Sequence, residues 1–201
     1  MAERTLNTII GEINTAIKTV SFGDQVTTRG LCYLQEKDEK TSPLENTGNR
    51  NGNRISWDDK FPLQTYHRIL SPLEKEADLS KGFGKNAFRQ RVYNMRLVGI
   101  GSRSKLTTNT YEDNHEFANA ISDVLPDFIT TKEYLEEGDH QVIKQEVYDS
   151  EFGGIDQKKY SLEGIAFWID YTLRVSICLK PDAPSDLSAS AIGSTVTLNW
   201  S

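Results

Sequence analysis

At 201 residues, with 37% apolar and 9% aromatic side chains, the chain is long enough for one packed domain with a small appendage. Its net charge of −6 excludes a molecule built as a whole to coat nucleic acid or an anionic membrane. No apolar run approaches the ~18 residues of a membrane span, and the N-terminus lacks the apolar stretch of a secretory signal.

In chain order, Leu6, Ile9, Ile10, Ile13, Ile17 and Val20 recur at spacings of three and four and predict an amphipathic helix. Thr5 is placed to cap it, and Phe22-Gly23-Asp24 to end it. A strand follows over Thr27 to Gln35. From Glu36 to Trp57 the chain is polar and rich in Gly and Asn, which predicts a long exposed loop. A second strand is expected over Leu63 to Leu70, and an irregular stretch from Ser71 to about Lys85.

Arg91 to Gly101 alternates as a strand, with Tyr93, Met95 and Leu97 on one face and Val92, Asn94, Arg96 and Val98 on the other. Gly99 and Gly101 mark its end and suit a bulge. A second helix carries Phe117, Ala120, Ile121, Val124 and Leu125 as its stripe. Asn109 or Thr110 is placed to cap it, and Pro126 to stop or kink it. His140 to Tyr148 is expected as a strand, and Gly153-Gly154 as a turn.

The strongest pattern is Gly164 to Leu179. Ile165, Phe167, Ile169, Tyr171, Leu173, Val175, Ile177 and Leu179 alternate without a miss, opposite Trp168, Asp170, Thr172, Arg174, Ser176 and Cys178. This is the period of a strand buried on one face. About 15 residues at ~3.3 Å each span roughly 50 Å, against a radius of gyration of roughly 16–17 Å for a chain of this size. Such a strand is expected to bend sharply or to project toward a neighbour. After Lys180, Pro181 and Pro184 mark a linker. The segments Leu187 to Ala191 and Thr195 to Trp200 then flank Gly193-Ser194 as a short hairpin. That tail also resembles the first two strands of a fibronectin type III module, down to Leu198-Asn199-Trp200.

The chemistry-bearing residues do not assemble into a motif. His115-Glu116 begins like the zinc helix H-E-x-x-H, but Asn119 stands where the second histidine is needed. Lys81-Gly82-Phe83-Gly84-Lys85 lacks phosphate-loop spacing, and no G-x-S-x-G elbow is present. His67 and His140 would matter only beside a buried carboxylate. Cys32 and Cys178 lie in expected strands and read as small buried hydrophobes in a reducing compartment. No catalytic, metal or cofactor-binding set is expected.

Charge is divided unevenly. Lys81, Lys85, Arg89, Arg91, Arg96, Arg103 and Lys105 form a block with no acidic residue. Glu112 to Glu151 holds twelve acidic residues and two lysines. Two solvated faces explain this, and so does a contact between the basic face of one subunit and the acidic face of the next. The candidate basic side is Lys81, Lys85, Arg89, Arg91, Arg103 and Lys105. The candidate acidic side is Glu112, Asp113, Glu116 and Asp123. Trp168, Asp170 and Arg174 are the candidates on the long strand, whose polar face is expected to meet a channel, solvent or another subunit.

The element order resembles that of the tail-terminator and tail-completion proteins of tailed bacteriophages and the related neck, or head–tail connector, proteins. The residues carrying the resemblance are Ile9 to Ile13, Tyr93 to Ile100, Glu116 to Ile121, Val142 to Tyr148 and Ile165 to Tyr171. It implies an α+β domain over 1–180, a mainly antiparallel sheet with two helices packed on one face and long loop insertions. Residues 181–201 form a linker and C-terminal β-hairpin extension. It further implies a structural virion protein, assembled in the host cytoplasm, that forms a homo-oligomeric ring. The ring joins other head, neck or tail proteins around a channel through which DNA passes without sequence-specific binding and without a membrane. The alternative expectation is a non-catalytic β-rich binding or attachment module, with Trp57, Tyr66 and Trp200 as contact aromatics.

Overall fold

The computed structural model describes residues 5–37, 40–45, 54–55, 62–70, 75–78, 89–107, 113–130, 133–153, 163–177, 188–192 and 195–199. Helix α1 (Leu6–Ile17) opens the domain, and Thr5 caps it by accepting from Thr8 N at 3.3 Å. Ile9, Ile10, Ile13 and Ile17 are all buried. Each gains about 1.5–3 kcal/mol on leaving water. The Phe22–Asp24 stretch expected to end this helix instead leads into a separate 3-10 turn over Gly23–Gln25.

Strand β1 (Val26–Lys37) pairs antiparallel with β2 (Lys40–Glu45). The expected loop from Glu36 to Trp57 is therefore corrected at its start: its first ten residues include a hairpin arm. Its polar composition hid the strand, because ladder hydrogen bonds are made by backbone groups that every residue but proline shares. Pro43 is tolerated because β2 ends the order of strands, where a missing N–H breaks no ladder bond. Ile55 returns to it, donating its N–H to Pro43 O at 2.8 Å. Residues 46–53 of the expected loop lie outside the described residues.

Strand β3 (Leu63–Ile69) runs parallel to β1. Strand β4 (Lys75–Asp78) interrupts the stretch expected to be irregular and pairs with the first residues of β5 (Arg89–Ser102). The end of β5 needs a second correction. It ends at Ser102, next to Gly101 as expected, but without a bulge, since its register with the last long strand is unbroken from Arg89 to Ser102. Gly99 and Gly101 are small because space is short. A Cβ on Gly99 would lie 2.2 Å from the Phe167 ring, and one on Gly101 would lie 2.1 Å from Pro62 O.

Helix α2 (Asn114–Ser122) is capped by Asp113. Asp113 accepts from Glu116 N, and the Glu116 side chain accepts from Asp113 N, a reciprocal capping box. The expected caps, Asn109 and Thr110, lie outside the described residues. Strands β6 (Phe128–Thr130) and β7 (Glu133–Gln141) follow, then helix α3 (Lys144–Phe152). The strand expected over His140 to Tyr148 is thus overturned. The residues that α3 buries are Val147, Tyr148, Glu151 and Phe152. That is helical spacing, completed only by two positions past the stretch assigned as a strand. Gly153 ends α3 at φ 28°, a backbone conformation that favours glycine.

Strand β8 (Gly164–Ile177) has the expected register. Ile165, Phe167, Ile169, Tyr171 and Leu173 are buried. It does not project from the domain: β5 pairs with it along its whole described length, and β7 flanks its other side from Trp168 to Val175. Nor is only one face covered, because Ala166 is also buried. Cys178 and Leu179 lie outside the described residues. Strands β9 (Ser188–Ile192) and β10 (Thr195–Asn199) form an antiparallel hairpin.

The fold is α+β, a mostly antiparallel sheet in the order β2-β1-β3-β5-β8-β7-β6, with β4 also on β5. Among the described residues, three α-helices accompany it. The main core gathers residues of α1 and α2 with Met95, Leu97, Phe167 and Ile169. A smaller core gathers α3 with Tyr66, Val98, Ile100 and Ala166. Among the described residues, no helix is long and apolar enough to cross a membrane.

Candidate functional site

Among the buried polar side chains described, His67 and Glu151 each anchor a hydrogen-bonded cluster that is committed to structure. The first is on β3. His67 is fully buried, with Nδ1 2.8 Å from Tyr171 Oη and Nε2 2.9 Å from Asn14 Oδ1. Asn14 Nδ2 donates to Arg29 O at 2.9 Å, which leaves Asn14 Oδ1 as an acceptor. Nε2 of His67 must then carry the proton, and Nδ1 accepts from the Tyr171 hydroxyl. Burial pushes the His67 imidazole down to about 3 and the Tyr171 phenol up. A ring whose lone pair is already engaged, and which water does not reach, is a strut between α1, β3 and β8.

The second group is Glu151 on α3, also fully buried. It accepts from Tyr66 Oη at 2.8 Å and forms an ion pair with Arg68. Burial, then the Glu151 carboxylate, holds the Tyr66 phenol well above its ordinary value. The Cys32 thiol is likewise pushed up, first by burial and next by Glu45, which makes it a poor nucleophile. His140 pairs with Glu137 at 2.6 Å, and His115 is exposed on α2. Among the described residues, no group of three or more His, Cys, Asp or Glu side chains is arranged to hold a metal.

Of the expected basic side, the described side chains are Arg91, Arg103 and Lys105. Lys81 and Lys85 lie outside the described residues, and of Arg89 only the backbone is described. Arg91 stands near the start of β5 and Arg103 just past its end. That separation is about 40 Å along an extended chain. A block that is compact in sequence is drawn out by a strand. Arg103 N donates to Glu163 O at 2.7 Å, and Lys105 is exposed. On the acidic side, Glu112 lies outside the described residues. Asp113 and Glu116 are the capping box of α2, and Asp123 is the residue after its end.

The long-strand candidates are half-buried and paired within the sheet. Arg96 sits 3.6 Å from the centre of the Trp168 ring and donates to both Asp170 oxygens, at 2.6 and 2.8 Å. Arg174 donates to Glu136 at 3.2 Å and lies 5.9 Å from the Tyr134 ring centre. Tyr66, expected as a contact aromatic of an attachment module, is corrected to a core residue with no exposed surface. Trp57 and Trp200 lie outside the described residues.

Sequence reasoning missed two surfaces. At the β6–β7 margin, Asp123, Asp127, Glu136, Glu137 and Asp139 are all exposed. Ser122 Oγ donates to Glu137, and Leu135 N donates to Asp127 O at 2.9 Å, so α2's end and the β6–β7 hairpin meet there. Phe128 follows Asp127 and is exposed, its ring 6.3 Å from that of Tyr134. On the β2-β1-β3 side, a pocket of about 180 Å³ is lined by Leu31, Cys32, Tyr33, Leu34, Arg68 and Ile69. The run Glu136-Glu137-Gly138-Asp139 was a visible signal for the first surface. The second had none, since it joins two strands distant in sequence. No family model, no curated protein and no solved structure matches the chain.

Proposed function

We propose that this chain is a non-catalytic structural protein of a tailed-phage virion, a subunit of an oligomeric ring at the neck or tail that joins head and tail components around the DNA channel. One observation carries the reading: the side chains best suited to chemistry, His67, Tyr66 and Glu151, are consumed in fastening helices to the sheet. Acidic and apolar side chains are exposed at the sheet's margins, which is the chemistry of docking. Beneath it, α1 and α2 share one face of the sheet and α3 takes the other, as their separate core clusters support. A ring subunit needs such a stiff body, because its work is mechanical.

The long strand β8 is not the polymerising element in this reading. It is flanked on both sides by its own chain. The β7 margin is blunted as well, by a register shift between Glu137 and His140 and by its acidic side chains. Lateral contact therefore runs through side chains and not through continuation of the sheet.

Electron microscopy of native particles and of the purified chain tests the proposal. Closed rings of one subunit number are expected, located at the neck or tail. A chain absent from particles, together with a measured turnover of any substrate, would remove it.

A further inference from the structure

The two hydrophobic cores are unequal, and among the described residues they share no member. The larger holds residues of α1 and α2, the smaller those of α3. To the smaller core α3 gives Val147, Tyr148 and Phe152, which cluster with Tyr66 of β3, Val98 and Ile100 of β5 and Ala166 of β8. A nine-residue helix is too short to keep its shape alone in water, so α3 lasts only while it is packed.

The fourth residue that α3 buries is a carboxylate. Glu151 accepts from Tyr66 Oη and pairs with Arg68. Taking an ion pair out of water consumes much of the attraction it gains. Lifting α3 returns Glu151 to solvent, and that rehydration offsets part of the lost apolar contact. The buried positions of α1 are all isoleucine, so no such offset exists there. Both ends of α3 also suit a joint. Ile143 opens the helix without a side-chain cap and is 53% exposed. Gly153 closes it at φ 28°, where a residue without Cβ changes conformation at little cost.

We infer that α3 is a strap: it opens as one unit between Ile143 and Gly153 while the core built by α1 and α2 stays closed. Opening uncovers Tyr66, Val98, Ile100 and Ala166, an apolar strip of the sheet that the closed strap keeps from water. Elements that move are drawn from the least stable part of a fold. Here that part is the helix with the smaller core and the buried charge. The inference does not depend on the ring reading and stands or falls without it.

Native-state hydrogen exchange on the full chain tests this. The probes are the helical amides of Val147 to Phe152 in α3 and of Ile10 to Ile17 in α1. After correction for intrinsic rates, the α3 amides are expected to exchange at least about tenfold faster than those of α1. They are expected to share one urea slope, smaller than that of α1, because a smaller surface opens. Two variants separate the cores. Ile13→Val trims the larger one and is expected to speed exchange in α1 while leaving α3 unchanged. Val147→Ala trims the smaller one and is expected to speed exchange in α3 roughly tenfold or more. Circular dichroism checks that both variants fold, and the wild-type urea series stands without them. One rate and one slope for both helices overturn the strap, as does an Ile13→Val chain in which both speed up alike. Exchange in α3 that ignores urea, each amide at its own rate, is fraying of the helix and overturns it too.

Discussion

The Tyr66 hydroxyl donates to the Glu151 carboxylate at 2.8 Å, joining a strand to a helix 85 positions later in a site closed to water. Arg68 completes the charge balance. Removing one partner strands the others: Glu151→Ala is expected to cost about 3–5 kcal/mol. Replacing all three, as Tyr66→Phe, Arg68→Met and Glu151→Met together, is expected to cost much less, because no buried charge remains. Urea unfolding of the single and triple variants checks the ordering. A triple variant less stable than Glu151→Ala would show that the group contributes net stability.

His67 makes stability depend on pH. Its folded-state value is lowered to about 3 from an ordinary 6.5, so below 6.5 the unfolded chain binds a proton that the folded chain refuses. Stability from this group is complete above 6.5 and is lost as pH falls from 6.5 toward 3. The slope is about 1.4 kcal/mol per pH unit in that window. Denaturation midpoints of the wild type and of His67→Gln, taken from pH 7.5 down to pH 4.5, are expected to converge as the pH drops. Parallel curves would assign the acid sensitivity to other groups.

Two glycines of β5 are expected to fail differently on gaining a methyl. In Gly99→Ala the obstruction is the Phe167 ring, a side chain, and overpacking of this kind costs about 1–3 kcal/mol. Phe167→Leu added to Gly99→Ala is expected to recover part of it. In Gly101→Ala the obstruction is the backbone at Pro62 and Leu63. No single side-chain change relieves that. Thermal melting checks both, at roughly 2–4 °C per kcal/mol for a chain of this size.

Asp113 separates stability from assembly. Asp113→Ala removes the cap of α2 and is expected to cost about 1 kcal/mol, whereas Asp113→Asn keeps an acceptor and costs little. The Asp113 carboxylate is already used within α2, so both are expected to assemble as the wild type does. An Asp113→Asn chain that folds normally but does not assemble would return this residue to an inter-subunit role.

The residues themselves determined which face of each periodic element is buried. The isoleucine stripe of α1 and the alternation from Ile165 to Leu173 identify the buried positions directly, because a helix and a strand repeat at different periods and only one period fits each run. Periodicity does not report which strands lie alongside, since ladder pairing is made by backbone atoms that every residue shares. Only the tertiary structure decided that β8 is an interior strand flanked by β5 and β7. The same holds for α3. Its defining residues, Glu151 and Phe152, lie past the stretch expected as a strand, and burial of Glu151 depends on Tyr66 and Arg68 from far earlier in the chain. Phe128 and the β1–β3 pocket carried no local signal, because exposure of one ring and the width of one gap are properties of the packed whole.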